Sequence, residues 1–393
     1  MQRVERAPDT EKPAAPSESA AEAAAMAAAA GLVYVSDAEP GILRRRKGRG
    51  FVYFNPDGSP LLDAVALKRI ARLAIPPAYR DVWICTDARG HLQATGHDAR
   101  GRKQYRYHPE WHTTRDGAKF GRMVEFGTAL PRLRARLRRD LARPGLPREK
   151  VLAVVVSLLD ATLVRIGNPE YARDNASYGL TTLRNRHVQF IRAGRALLRF
   201  RGKGGAEHEV AIDDKRLARI VRHCQELPGQ QLFQYVDDDG RHRPVDSGMV
   251  NDYLREAMGA DFTAKDFRTW GATLRAIILM AATPLPAKPS ERALNARIVH
   301  VVKQVAAELR NTPAVCRKSY INPVVFDAWR SGALHAAMPA NAAAAPRQAE
   351  RHALAFLRKE ARAARRFNEK VLDVVAHLVK LVERGLGIAR TKT

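Results

Sequence analysis

Acidic residues are scarce in this chain. Forty-one Asp and Glu stand against 67 Lys and Arg in 393 residues, a formal charge of +26 and a pI near 10.6. Such an excess predicts a polyanionic partner, nucleic acid first and an anionic membrane surface second. Cysteine is nearly absent: Cys85, Cys224 and Cys316 are odd in number and far apart. No disulfide framework or zinc cluster follows, and a reducing cytoplasm is the expected compartment. No uncharged apolar run reaches the ~18 residues of a membrane span. The N-terminus has no compact Leu/Val/Ile core of a signal peptide. HExxH, a clustered Cys/His site and a phosphate-binding P-loop are all missing, so neither a metal nor a nucleotide cofactor is expected. What is present is apolar bulk: 46% of residues are hydrophobic, enough for real cores. The length suggests two or three domains at about 150 residues each.

Composition divides the chain. Residues 1–30 are mostly Ala, Pro, Glu and Ser and read as a disordered tail whose alanines have no apolar face to dock. Over 31–114 the runs VYVSD, FVYF, DVWICTDA, HLQATG and QYRYH read as short strands, separated by turn signals. One helix over 61–74 stops before Pro76-Pro77. This is a small, mainly β domain. HTTRDGAKFG (112–121) reads as a linker, and helical periods dominate from there to residue 335. The segment 148–166 is apolar nearly all round and belongs in a core, with Gly167-Asn168-Pro169 ending it. Three strands follow, in RNRHVQFIRA, ALLRFRG and EHEVAI, the last two joined by Gly202-Lys203-Gly204-Gly205. Helices are expected near 214–226, 247–258, 265–282, 289–310 and 313–331. Residues 336–393 read as an Ala-rich linker and a basic helical extension. There Phe367, Val371, Val374, Leu378 and Leu381 form a 4-3-4-3 seam, either for its own domain or for a partner helix.

Four side chains stand in informative settings. Arg165 ends an apolar helix, where a charge needs a partner. Lys203 tips a glycine-flanked turn, as a solvated lysine or as a cation projected toward a groove. Arg268 begins an apolar helix in KDFRTWGATLRA, and Tyr320 lies in NTPAVCRKSYINP near a helix end. Each alone fits an ion pair, a surface charge or a core aromatic. Together they supply metal-free attack on a phosphodiester. A tyrosine hydroxyl is a covalent carrier, two arginines clamp non-bridging oxygens, and a lysine can protonate the leaving oxygen.

In chain order PPAYRDVWIC, GHDARGRKQYRYH, RIGNPEYARDNASYGLTTLRNRH, FRGKGGAEHEV, KDFRTWGAT and NTPAVCRKSYINP resemble the type IB DNA topoisomerases of the poxvirus-like and bacterial branch, over residues 31–335. The resemblance implies an α+β fold. A small β-rich DNA-clamp domain precedes a mostly helical catalytic domain that carries a three-stranded sheet and is related to tyrosine recombinase catalytic domains. It implies a monomer in the bacterial cytoplasm that acts on double-stranded DNA without ATP, metal or cofactor. Supercoils are relaxed through a transient 3′-phosphotyrosyl link. It assigns Arg165, Lys203, Arg268 and the nucleophile Tyr320. Asn311 stands where the family usually has His, nine residues before the tyrosine. Either Asn311 donates to a phosphate oxygen or it caps the helix that follows. Gln104, Tyr105, Tyr107, Tyr171 and Lys265 match DNA-facing positions, although the aromatics also suit a core.

A tyrosine recombinase shares the Arg/Lys/Arg/Tyr set but usually has His three residues before the second arginine, where this chain has Lys265. Its N-terminal half is usually all-helical. A non-enzymatic DNA-packaging protein explains the charge and leaves the ordered motifs without a reason.

Overall fold

The computed structural model describes residues 18–99, 101–339 and 344–385, so residues 1–17 of the expected tail and part of the Ala/Pro stretch lie outside the described residues. The chain divides into two compact units between Lys119 and Phe120.

In the first unit a helix α1 (Glu18–Ala29) precedes an antiparallel five-stranded sheet. The strands are β1 (Ile42–Lys47), β2 (Gly50–Phe54), β3 (Arg80–Ile84), β4 (Leu92–His97) and β5 (Lys103–Tyr107), in the order β2-β1-β3-β4-β5. A helix α2 (Ala64–Arg72) links β2 to β3, and Asp63 caps it by accepting from the Val65 and Ala66 amides. Two expectations change here. The tail is not featureless: Ala27 of α1 is fully buried with Leu32 and Trp111. VYVSD contributes only an isolated bridge at Val33, while the basic run ILRRRK supplies β1, a central strand. Its Arg44 is the reason the run can pair. The guanidinium lies 4.1 Å over the Phe51 ring and donates to the carbonyls of Ile75, Pro76 and Tyr79 in the Pro-Pro loop.

The expected linker at 112–121 is helical, part of a 33-residue helix α3 (Pro109–Leu141). Gly117 and Gly121 lower helix propensity, but neither stops the helix. In the second unit α4 (Arg148–Thr162) is the centre of the core, with Val151 to Val156, Leu158 and Leu159 all buried. Each of the valines and leucines among them contributes about 1.5–3 kcal/mol of burial. Then come α5 (Pro169–Asn175), which the sequence reading did not expect, and the antiparallel meander β6 (Val188–Ile191), β7 (Arg195–Arg201) and β8 (Glu207–Ile212), which it did. α6 (Lys215–Glu226), a hairpin of β9 (Gln234–Val236) and β10 (His242–Pro244), α7 (Ser247–Met258), α8 (Ala264–Ala281) and α9 (Glu291–Glu308) follow. The expected helix over 313–331 is two helices, α10 (Pro313–Ser319) and α11 (Val324–Arg330). Pro323 disfavours helical backbone at Asn322 and has no amide proton, so the chain breaks there. α12 (Ala333–Ala337) and α13 (Pro346–Gly385) complete the unit.

The start of α13 is not an appendage. Ala349, Ala353, Phe356 and Leu357 are buried in the main core. Arg134 of α3 holds Asp160 of α4 at 2.9 and 3.1 Å and Glu350 of α13 at 2.5 and 3.0 Å. The indole nitrogen of Trp270 on α8 also donates to Glu350, at 3.1 Å. Phe367 and Val374 fall three and five turns after Phe356 on the same helix face, but they are 67% and 58% exposed. The side chains of Val371, Leu378 and Leu381 lie outside the described ones.

Two expected outcomes follow from this packing. A chain ending at residue 345 leaves Arg134 short of a carboxylate and uncovers Trp270, so its melting temperature should fall sharply. A chain ending at residue 361 should melt like the full chain. Glu350→Ala alone should cost about 3 kcal/mol, the lower end for breaking a buried pair because this one is partly hydrated; urea unfolding reads it directly.

Acid stability is the second. His187 accepts from the Arg184 amide, and burial with the charges of Arg186 and Arg184 pushes its pKa down to about 4. Burial and the charges of Arg165, Arg310 and Arg268 do the same to His208. The unfolded chain protonates both near pH 6.5, while the native rings resist until about pH 4. Native stability should therefore fall as pH drops through that interval and flatten below it. Denaturant midpoints at pH 7, 5 and 4 should show the loss, and His187→Gln should lessen it.

Candidate active site

The backbone places Tyr320 before its side chain does. Thr312 caps α10 by accepting from the Val315 amide, and Pro313 occupies the first turn. Tyr320 terminates the helix with φ −131° and ψ −27°. Its carbonyl accepts from the Thr273 hydroxyl at 3.0 Å, and the same hydroxyl oxygen accepts from the Asn322 amide at 3.0 Å. Thr273 is wholly buried on α8, so the break after α10 is pinned to the helix that carries Arg268.

Arg268 is 3% exposed. One guanidinium nitrogen donates to the Leu163 carbonyl and the other to that of Leu309, at 3.0 Å. These carbonyls end α4 and α9, where helix dipoles place negative charge. The guanidinium carbon then lies 5.1 Å from the Tyr320 ring centre. Leu163 itself is left-handed, φ 55°, and ends α4 earlier than the apolar run suggested. Gly271 lets it pack onto α8, since a Cβ there would stand 2.4 Å from a Leu163 methyl.

Arg165 is therefore not at a helix end but in the extended segment after it. Its partner is an amide, not an acid. It donates to the Asn311 side-chain oxygen at 2.6 Å. Asn311 is fixed by the turn that ends α9. The Arg310 amide (φ 50°) returns to Ala307 at 3.2 Å and the Asn311 amide to Ala306 at 2.9 Å, which is a Schellman closure. Thr312, not Asn311, caps α10, so the helix-cap reading of Asn311 is corrected.

Three buried donors here have no hydrogen-bond partner among the described residues: Arg165 Nη1, Arg268 Nε and Asn311 Nδ2. No carboxylate pairs with either arginine among those residues. Burial holds the Arg165 guanidinium below its usual range, and the charge of Arg268 adds to that. Burial pushes the Tyr320 hydroxyl up, but Arg268, Arg165 and Lys265 outweigh it and hold its pKa below the ordinary tyrosine value. Cys316, on the preceding turn of α10, is fully buried, and burial pushes its thiol up to about 11. A positively charged, under-satisfied cradle beside a phenol suits an anion with several acceptor oxygens.

The structure thus brings Arg165, Arg268, Asn311 and Tyr320 together, with Lys265 exposed on the first turn of α8. Lys203 lies exposed on the turn between β7 and β8, with no hydrogen bond or ion pair to the other four. Tyr171 is half exposed on α5. Gln104, Tyr105 and Tyr107 lie in the first unit on β5, the edge of its sheet. Tyr105 and Tyr107 stack at 6.0 Å; Tyr105 is exposed, whereas Tyr107 packs against the core near Trp83 and Trp111. Sequence reasoning missed Thr273, whose only signal is a hydroxyl in an apolar helix. It also missed the exposed cations Arg45, Arg46, Lys47 and Arg49 around the β1–β2 turn, which stand in plain sight as RRRKGR.

Residues 108–328 match the family described as eukaryotic DNA topoisomerase I, catalytic core, and residues 50–98 match the bacterial DNA topoisomerase IB N-terminal domain. The DNA topoisomerase 1B of Acanthamoeba polyphaga mimivirus is 34% identical over 74% of this chain and 88% of its own length. The DNA topoisomerase 1B of Vaccinia virus (strain Copenhagen) is 22% identical over 70% of this chain and 84% of its own. The DNA topoisomerase 1 of Mycosarcoma maydis is 23% identical over 55% of this chain but only 23% of its own. With a family match over more than half its length and a one-third-identical relative covering most of both sequences, the chain belongs to the type IB DNA topoisomerases.

Proposed function

We propose that the chain relaxes supercoiled duplex DNA with Tyr320 as nucleophile and Arg165, Arg268 and Asn311 as the cradle of the scissile phosphate. The observation that carries this is the pair of buried guanidinium groups, Arg268 and Arg165, acting on the Tyr320 hydroxyl, with a donor on each of them and on Asn311, which is bonded to Arg165, left without a partner among the described residues. An isolated buried donor costs about 1–3 kcal/mol, and a non-bridging phosphate oxygen is the acceptor each one lacks. The two guanidinium charges also favour the more negative transition state over the diester.

The Tyr320 oxygen bonds to phosphorus and its proton passes to solvent. The bond from phosphorus to the 5′-oxygen breaks, its electron pair stays on that oxygen, and Lys203 supplies the proton. One phosphate ester is exchanged for another, so no nucleotide hydrolysis is needed. The 3′-phosphotyrosyl strand stays attached while the free 5′-hydroxyl end swivels, and the reverse attack reseals the strand. Lys265, Tyr171, Gln104, Tyr105 and Tyr107 are assigned to DNA contact. The exposed cations of α13, from Arg358 through Lys370, add phosphate attraction without sequence information. The Arg/Lys/Arg/Tyr set is also the basis for a kinship with tyrosine recombinase catalytic domains.

Tyr320→Phe should bind duplex DNA like the parent yet give no covalent complex on denaturing gels and no plasmid relaxation; substantial residual activity would move the nucleophile elsewhere. Asn311→Ala should slow single-turnover cleavage by at least about tenfold, as loss of a donor to transition-state charge does, with duplex affinity nearly unchanged. Asn311→His should keep or raise the rate. An unchanged rate in the alanine variant would remove Asn311 from the cradle.

A further inference from the structure

His208 is outside the residue set that the resemblance assigns, yet it lies directly beneath the turn that carries Lys203. It sits opposite Phe200 across β7 and β8, is 6% exposed, and stacks on the Phe200 ring at 4.8 Å with 5° between the planes. The ring edge closes on Gly202: a Cβ at that position would stand 2.5 Å from His208 Nε2 and 2.6 Å from Cδ2. No described residue hydrogen-bonds either ring nitrogen.

At the far end of the turn the exposed Arg201 side chain lies against Gly205, where a Cβ would stand 3.0 Å from its Nη2; the base at Gly202 is held differently. Gly202 donates to the Ala206 carbonyl at 2.7 Å, and Gly205 donates to that of Gly202 at 3.1 Å. The Ser177 hydroxyl reaches the Gly202 carbonyl at 3.2 Å. Gly204 and Gly205 take φ of 74° and 81°, which glycine adopts freely and other residues resist. A loop of three glycines around one lysine has high intrinsic freedom, so the lysine's position depends on whatever holds the loop's base. Here that is the flat ring under Gly202. The ring also stays uncharged, because burial and the guanidinium groups of Arg165, Arg310 and Arg268 disfavour the imidazolium. A permanent cation at the same place would be repelled from the cluster.

We propose that His208 is a positioning residue for Lys203: its ring, stacked on Phe200, seats Gly202 and so fixes where the turn delivers the lysine ammonium. This rests on Lys203 being the proton donor to the 5′-oxygen, and the test separates the two ideas. Single-turnover cleavage is measured on a duplex with the normal bridging oxygen and on one with sulfur at the 5′-bridging position. On the sulfur substrate the bond from phosphorus to sulfur breaks, and a thiolate leaves without a proton. His208→Ala should be at least about tenfold slower on the oxygen duplex, a part of the 10²–10⁴ typical of general acids. On the sulfur duplex it should approach the parent rate. His208→Phe, which keeps the stack, should retain most of the rate on both. Gly202→Ala, which pushes the turn off the ring from the other side, should reproduce the sulfur-rescued defect and decides the matter if His208→Ala fails to fold.

Lys203→Ala is the control. If sulfur does not rescue it, the proton-donor assignment fails, and the role of His208 in serving that donor falls with it. If sulfur rescues Lys203→Ala but His208→Ala is slow on both duplexes, or as fast as the parent on the oxygen duplex, the positioning role is overturned.

Discussion

The site depends on one buried cation. Arg268 has no acid beside it among the described residues; the carbonyls of Leu163 and Leu309 hold it instead. Carbonyls orient a guanidinium without cancelling its charge. A carboxylate would have neutralised it and competed with any phosphate for the same protons. Because those carbonyls end α4 and α9, two helices converge on one side chain, and the turns beyond them carry Arg165 and Asn311. Arg268 therefore fixes the positions of its own partners. The arrangement is electrostatically tense, with two guanidinium groups sharing a partly dehydrated space, and an arriving anion relieves that tension.

Much of this was legible in the sequence because the chemistry is compact in sequence. Glycines around Lys203 announced the turn between β7 and β8, and the local motifs singled out Arg165, Arg268 and Tyr320, which the fold does bring together. The overall α+β character and the three-stranded meander were legible as well, since their strands alternate and their turn is strong. What was not legible depends on tertiary partners. β1 looks like a basic loop until Arg44 finds the carbonyls of the Pro-Pro turn and the face of Phe51. The helix end at Leu163 is hidden because the apolar run continues past it, and only packing against Gly271 and the claim of Arg268 on its carbonyl stop the helix there. The break at Pro323 could have been foreseen from proline chemistry. The start of α13 could not, because nothing in an Ala-rich stretch says that Glu350 will meet Arg134 and Trp270.

Asn311 illustrates the same point at the scale of one amide. From the sequence it could have been a cap or a phosphate ligand, and its neighbour Thr312 took the cap. Its oxygen is then free to hold Arg165, and its nitrogen is buried without a partner among the described residues. One neutral side chain thus orients a cation without adding a third charge to a place that already has two.

Sulfur, finally, is kept out of the reaction. Cys316 sits one helical turn from the Tyr320 phenol, and thiolates are intrinsically strong nucleophiles. Yet all three cysteines are buried, and burial pushes Cys85 up, Cys224 to about 12 and Cys316 to about 11. At neutral pH none of them is appreciably a thiolate, the form that peroxides and electrophiles attack. The fold thus puts a thiol on the turn before Tyr320 and the same burial that seats it there keeps it protonated, so the phenol has no reactive sulfur for a neighbour.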